Sequence, residues 1–166
     1  MTNASTRKLV RLYSDGACLG NPGPGGYGAI LKHGEAVKEL SAGFRLTTNN
    51  RMELMGVIVG LEALKEPCTV HAFSDSEYVV KGLKLGWAKK WRANGWLKSD
   101  RKPAINSDLW ARLLDLCEKH EVRIEWVRGH AGHPENERCD FLAVQAAKSD
   151  DLPPDPGYTP SAAVRR

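Results

Sequence analysis

The chain has 166 residues, 42% hydrophobic and 27% charged, which suits one globular domain with room for a real core. No apolar run approaches the roughly 20 residues of a membrane span, and MTNASTRK has no apolar segment behind its basic residues, so neither a membrane protein nor a secretory signal is expected. The net charge of +4 is modest but uneven: Lys81 to Lys102 holds eight Lys or Arg against one acid, Asp100, about +7, leaving about −3 elsewhere. A basic patch on a slightly acidic body points to a polyanion met by one face. Cys18, Cys68, Cys117 and Cys139 form no C-x-x-C pair, so they read as reduced thiols and the expected location is the cytoplasm.

Residues 1–7 are expected to be flexible. Leu9–Ser14 reads as an interior strand that ends at Asp15-Gly16. The loop LGNPGPGG lacks the Gly-Lys-Ser/Thr ending of a P-loop and leads into a strand, so a turn is favoured over a phosphate cradle. Tyr27–Lys32 and Val37–Phe44 complete an antiparallel meander with short connections. TTNNRMELMGVIVGLEALKE reads as a largely buried helix with N-caps among Thr47 to Asn50. Thr69–Ser74 is a fourth strand, which makes a strand-helix-strand unit and a parallel pairing. A short helix is expected over about 76–85, a basic helix ending near Asn94-Gly95, and a further helix over Asp108–His120, capped by Asn106 or Ser107. Val122–Val127 is a fifth strand, and Pro134 opens a last helix with acidic Glu135 and Glu137. The domain is expected over 8–148, with a basic insertion at about 81–102. From Ser149 the proline-rich remainder is expected to be a flexible tail.

Asp15 and Asp75 both end strands, so parallel neighbours would place their carboxylates side by side. Hard cations would relieve that repulsion, because Mg²⁺ takes oxygen ligands. Glu53 has a competing role in a capping box, Asn50-x-x-Glu53, which the helix taken alone favours. Asp140 reads equally well as a solvated helix residue, so the case rests on the four acids as a set. His130, in a Gly-flanked loop, suits proton transfer, while His133 reads as a helix-start residue; the absence of paired cysteines disfavours zinc. Trp87 and Trp91 share a helix face, by spacing a packing signal. Interleaved with Lys84, Lys89, Lys90 and Arg92 they read instead as a nucleic-acid surface, which the charge imbalance favours.

YSDGACLGNPGPGGYGAIL, TTNNRMEL, FSDSEYV and WVRGHAGHPENERCDFLA closely resemble, in order, the signature segments of the bacterial ribonuclease HI family. The resemblance spans roughly Leu9 to Lys148. It implies an α/β, ribonuclease H-like fold: a five-stranded mixed sheet flanked by helices on both faces. It implies cleavage of the RNA strand of RNA–DNA hybrids by two-metal-ion in-line attack of water, leaving 5′-phosphate and 3′-hydroxyl ends. The metal ligands would be Asp15, Glu53, Asp75 and Asp140, holding two Mg²⁺ with Mn²⁺ a substitute, and His130 would assist. By the same resemblance Cys18, Gly20, Asn21, Asn49, Asn50 and Glu77 would meet the RNA strand. Thr48, Trp87, Trp91 and Asn106 would meet the DNA strand. A monomer with no membrane contact is expected. Leu46, where some relatives place a phosphate-binding arginine, and Glu77, where some have glutamine, depart from the family pattern.

Two alternatives are an enzyme with another substrate and a protein of another class. A related-fold DNA nuclease or integrase would show another carboxylate spacing. A non-catalytic binding module would lack one of the four acids, and all four are present.

Overall fold

The computed structural model describes residues 7–129 and 132–159. Its strands are β1 (Lys8–Cys18), β2 (Gly23–His33), β3 (Ala36–Thr47), β4 (Cys68–Ser74) and β5 (Glu121–Trp126). The helices are α1 (Asn49–Glu62), α2 (Glu77–Lys84), α3 (Trp87–Ala93), α4 (Ser107–Lys119) and α5 (Pro134–Ala147). The five strands form one mixed sheet in the order β3-β2-β1-β4-β5. The meander β1-β2-β3 is antiparallel, and β4 and β5 add in parallel, as the connection lengths require.

The apolar run of α1 lies against β1. Met52, Leu54, Val57, Ile58 and Leu61 are buried with Leu12 and Val70 of the sheet and Trp110 and Leu113 of α4. Gly60 makes the approach possible: a Cβ there would lie 2.4 Å from the Leu12 side chain. On β2, Gly28 does the same for α5, since a Cβ would meet the Cys139 carbonyl oxygen at 2.5 Å.

Three expectations are corrected. β1 does not end at Asp15: it continues to Cys18, paired with Gly25 of β2, and only its parallel pairing with β4 stops, at Ser14–Ser74. The N-cap of α1 is Thr48, whose hydroxyl accepts from the Arg51 N–H at 3.3 Å, so Arg51 and not Glu53 holds the third helical position. That removes the capping box and frees the Glu53 carboxylate. Finally, residues 149–159 lie against the body. The Arg45 N–H donates to the Pro153 carbonyl at 2.8 Å, and Asp155 is buried. The reason is Arg51, 1% exposed, whose guanidinium draws the Asp155 carboxylate onto the domain.

Candidate active site

The register Ser14↔Ser74 leaves Asp15 and Asp75 as the next residues of two parallel neighbours, where β1 and β4 part. Glu53 reaches the same point from the second turn of α1. The missing side chain of Gly16 admits it: a Cβ there would lie 2.5 Å from the Glu53 nitrogen. The Gly16 N–H then donates to Asp15 Oδ1 at 2.9 Å and to Glu53 Oε2 at 3.1 Å, tying the two carboxylates to one backbone donor. Asp75 is fixed through its main chain, whose carbonyl accepts from Trp126 Nε1 at 3.0 Å, and Ser76 caps α2 just beyond. One ligand oxygen from each of Asp15, Glu53 and Asp75 lies within 4.8 Å of the others.

Such a cluster does not hold three full charges by itself. Burial, then the charges of Asp75 and Glu53, push the Asp15 carboxyl far above the usual carboxylate range, against the opposing Gly16 hydrogen bond. Burial also raises Glu53, with Asp75 adding to it. Protons or a cation must offset the repulsion. An all-carboxylate set open to solvent on the Glu53–Asp75 side fits a hard divalent ion that takes oxygen ligands and keeps some of its waters.

Asp140 does not join the three within that span; it lies half-buried on α5. Its placement is nonetheless on the Asp15 face. Asp15 pairs across the strands with Gly28, so the two share a face, and the space over Gly28 is taken by Cys139 and Leu142 of α5. His130 lies outside the described residues. His133 occupies the N-cap position of α5, with Pro134 following.

The other sequence candidates fall into three groups. Near the start of α1, Asn21 Oδ1 accepts from the Asn49 N–H at 3.1 Å, which brings the loop bearing Cys18, Gly20 and Asn21 to Asn49 and Asn50. Glu77, in the first turn of α2, pairs with Lys81 at 2.9 Å, so its charge is partly neutralised within its own helix. The second group is aromatic. Trp87, 37% exposed, lies 6.5 Å from Trp91 between ring centroids, Trp91 lies 6.1 Å from Trp110, and Trp110 lies 5.4 Å from Tyr78. Trp91 is packed against the core, as the helix spacing implies, while Trp87 is exposed. Third, Lys84, Lys89 and Lys90 are exposed, whereas Arg92 pairs with Asp115 and Glu118.

Sequence reasoning missed the group around Arg51. Its Nε and Nη2 donate to Asp155 at 2.7 and 3.1 Å, and its Nη1 and Nη2 to Asp108 at 2.9 and 2.6 Å. Nη1 also donates to Asn106 Oδ1 at 3.1 Å. Thr48, Asn106 and the tail are therefore joined through one residue, Thr48 by the Arg51 main-chain N–H and the other two by its guanidinium. The signal was an arginine set immediately before the apolar helix run that begins at Met52, since a charge drawn into that buried stretch must be paired.

A mixed five-stranded sheet with acids gathered where its central strands part defines an α/β nuclease architecture. The comparisons with known proteins name the family. The family model described as RNase H matches residues 7–148. The ribonuclease H of Desulforamulus reducens is 63% identical over 155 residues, covering 93% of this chain and 98% of the relative. In the crystal structure of LC9-RNase H1, a type 1 RNase H, the fold is similar with a TM-score of 0.76 at 34% identity, over 85% of this chain and 72% of that one. LC11-RNase H1, solved in complex with an RNA/DNA hybrid, shares the fold with a TM-score of 0.62 at 24% identity, over 83% of this chain and 96% of that one. The chain belongs to the ribonuclease H family.

Proposed function

We propose that this protein is an endonuclease that hydrolyses the RNA strand of RNA–DNA hybrids, leaving 5′-phosphate and 3′-hydroxyl ends. The observation that carries the reading is the convergence of Asp15, Glu53 and Asp75 at the parting of β1 and β4. These three, with Asp140 from the α5 side, would hold two Mg²⁺, and Mn²⁺ would substitute. Such ions, held by these residues, would supply Lewis-acid charge that lowers the pKa of an attacking water and offsets charge on the leaving 3′-oxygen.

The chain's own part is placement. The shared Gly16 N–H keeps the Asp15 and Glu53 oxygens aimed at one point. His130 moves a proton near the leaving group. The Asn21–Asn49 hydrogen bond supports assigning Cys18, Gly20, Asn21, Asn49 and Asn50 to the ribose 2′-hydroxyls that distinguish RNA from DNA, and Glu77 is assigned to the same strand. Trp87 and Trp91 receive deoxyribose, Thr48 and Asn106 a DNA phosphate, and Lys84, Lys89 and Lys90 neighbouring phosphates. Leu46 is partly exposed and supplies no donor. Among the described residues no helix is long and apolar enough to cross a membrane. The four cysteines are free thiols, in keeping with a monomer in the reducing cytoplasm.

The test uses one end-labelled RNA paired with DNA, paired with RNA, or alone, each with Mg²⁺, Mn²⁺ or chelator. Cutting confined to the hybrid and abolished by chelator is expected. Cutting of all three would make the chain a general nuclease.

A further inference from the structure

We infer that Tyr78 is a further contact to the DNA strand, its phenol O–H donating to a backbone phosphate beside Asn106. The inference rests on the hybrid reading above and extends it by one residue.

The direction of the hydrogen bonds carries the argument. Arginine has donors only, so the Asn106 amide must turn its oxygen to Arg51 Nη1, at 3.1 Å. Its nitrogen therefore faces Tyr78 and donates to the phenol oxygen at 3.2 Å. Indole nitrogen is likewise a donor only, and Trp110 Nε1 donates to the same oxygen at 2.9 Å. Two donors occupy the two lone pairs of Tyr78. Its own proton must then be given away, and among the described residues no side chain or carbonyl takes it. One amide proton of Asn106 is in the same position. The two adjacent groups form a pair of donors without an acceptor among the described residues.

Their setting matches a nucleic-acid backbone. Tyr78 follows Asp75 by three residues and begins the aromatic row Tyr78, Trp110, Trp91, Trp87 that leads to the exposed indole. The donor pair thus lies between the carboxylate cluster and the surface assigned to the DNA strand. Nearby acids do not compete for it. Both oxygens of Asp108 accept from Arg51, and both oxygens of Asp155 accept from Arg51 as well as from Thr47 or Gly157. With Arg51 fixed in this way the Asn106 and Tyr78 donors are set before substrate arrives, which favours a phosphate oxygen over water.

The test is Tyr78→Phe against hybrids carrying a single neutral methylphosphonate at successive DNA-strand positions. Tyr78→Phe is expected to raise KM for the unmodified hybrid about tenfold with kcat within about twofold. One DNA-strand methylphosphonate that raises KM for the parent protein is expected to add little for Tyr78→Phe. The same replacements in the RNA strand are expected to affect both proteins equally. Trp110→Phe loosens the same packing but keeps the phenol donor, so it is expected to retain full sensitivity to that methylphosphonate. Equal penalties in the parent and Tyr78→Phe at every DNA position, or sensitivity lost equally in Trp110→Phe, would overturn the inference. A parent protein that leaves the hybrid uncut would instead count against the hybrid reading itself.

Discussion

Arg51 and Asp155, 104 residues apart in sequence, form a buried ion pair with Nε–Oδ2 at 2.7 Å, and Thr47 donates to the same carboxylate oxygen at 2.7 Å. The pair fastens the segment around Asp155 to the helix that carries Glu53. Asp155→Ala would leave the guanidinium only Asp108 and Asn106, and breaking one side of a buried pair costs about 3 kcal/mol. We expect a fall in Tm of about 10 °C for a domain of this size, with kcat changed far less than stability. Urea unfolding together with hybrid cleavage measured well below Tm checks this. A Tm within about 2 °C of the parent's would show that the pair contributes little.

The carboxylate cluster predicts a stability that depends on pH and on metal in the opposite sense to an ion pair. The folded-state pKa of Asp15 is raised, first by burial and then by Asp75 and Glu53. Its contribution is therefore fully present below its unfolded value of 3.8 and is lost as pH rises through the folded value. Metal-free protein at pH 7 to 8 is expected to gain on the order of 2 kcal/mol from Asp15→Asn, a Tm rise of about 5 °C. The parent is expected to gain Tm on adding Mg²⁺, and Asp15→Asn to gain much less. Turnover should be lost in Asp15→Asn, Glu53→Gln and Asp75→Asn while hybrid affinity is kept. Undiminished cleavage by Asp75→Asn would remove it from the ligand set.

The acids of this cluster were legible because strand-end carboxylates in apolar company have few other uses, and because the flanking motifs are long. Glu53 was the ambiguous one. The local pattern Asn50-x-x-Glu53 satisfies the capping rule, and only the position of the true cap, Thr48, decides against it. The tail was misread for a related reason. PPDPG is polar and proline-rich, and nothing local reveals that Asp155 answers Arg51. The arginine itself, set just before the apolar run that begins at Met52, is a charge in want of a partner, but the order of residues does not say where that partner lies. Likewise, the direction of the Tyr78 hydrogen bonds follows from Arg51 orienting Asn106 and from Asn106 and Trp110 meeting at one oxygen, and has no counterpart in the order of residues.

The basic segment predicts unequal contributions from residues that look alike in sequence. Lys89 and Lys90 are exposed, whereas Arg92 already answers Asp115 and Glu118 on α4. Lys89→Ala and Lys90→Ala are each expected to weaken hybrid binding several-fold at low salt and to reduce the salt dependence of log K by about one phosphate equivalent. Arg92→Ala is expected to leave the salt slope unchanged. Binding titrations over a range of salt concentrations separate the cases, and a slope loss for Arg92 equal to that for Lys89 would mean that the ion pairs open on the substrate.

His120 gives the fold a second pH dependence, away from the active site. It is buried at the end of α4, and its Nδ1 accepts from the Cys68 N–H at 3.0 Å, while Nε2 has no partner among the described residues. Burial, helped by Lys119 and Arg7, lowers its folded pKa below 6.5. Protonation would also turn the acceptor of the Cys68 hydrogen bond into a donor. With the folded value below the unfolded one, the unfolded chain binds the proton more readily. Stability is then full above about pH 6.5 and is lost as pH falls from there through the lower folded value. His120→Asn keeps an oxygen near the position of Nδ1 and cannot titrate in this range. It is expected to be less stable than the parent at pH 8, by about 1–2 kcal/mol for the space left by the ring. Between pH 7.5 and 5.5, however, its Tm should fall less than the parent's. Parallel Tm curves for the two proteins over that window would show that the pH dependence arises elsewhere.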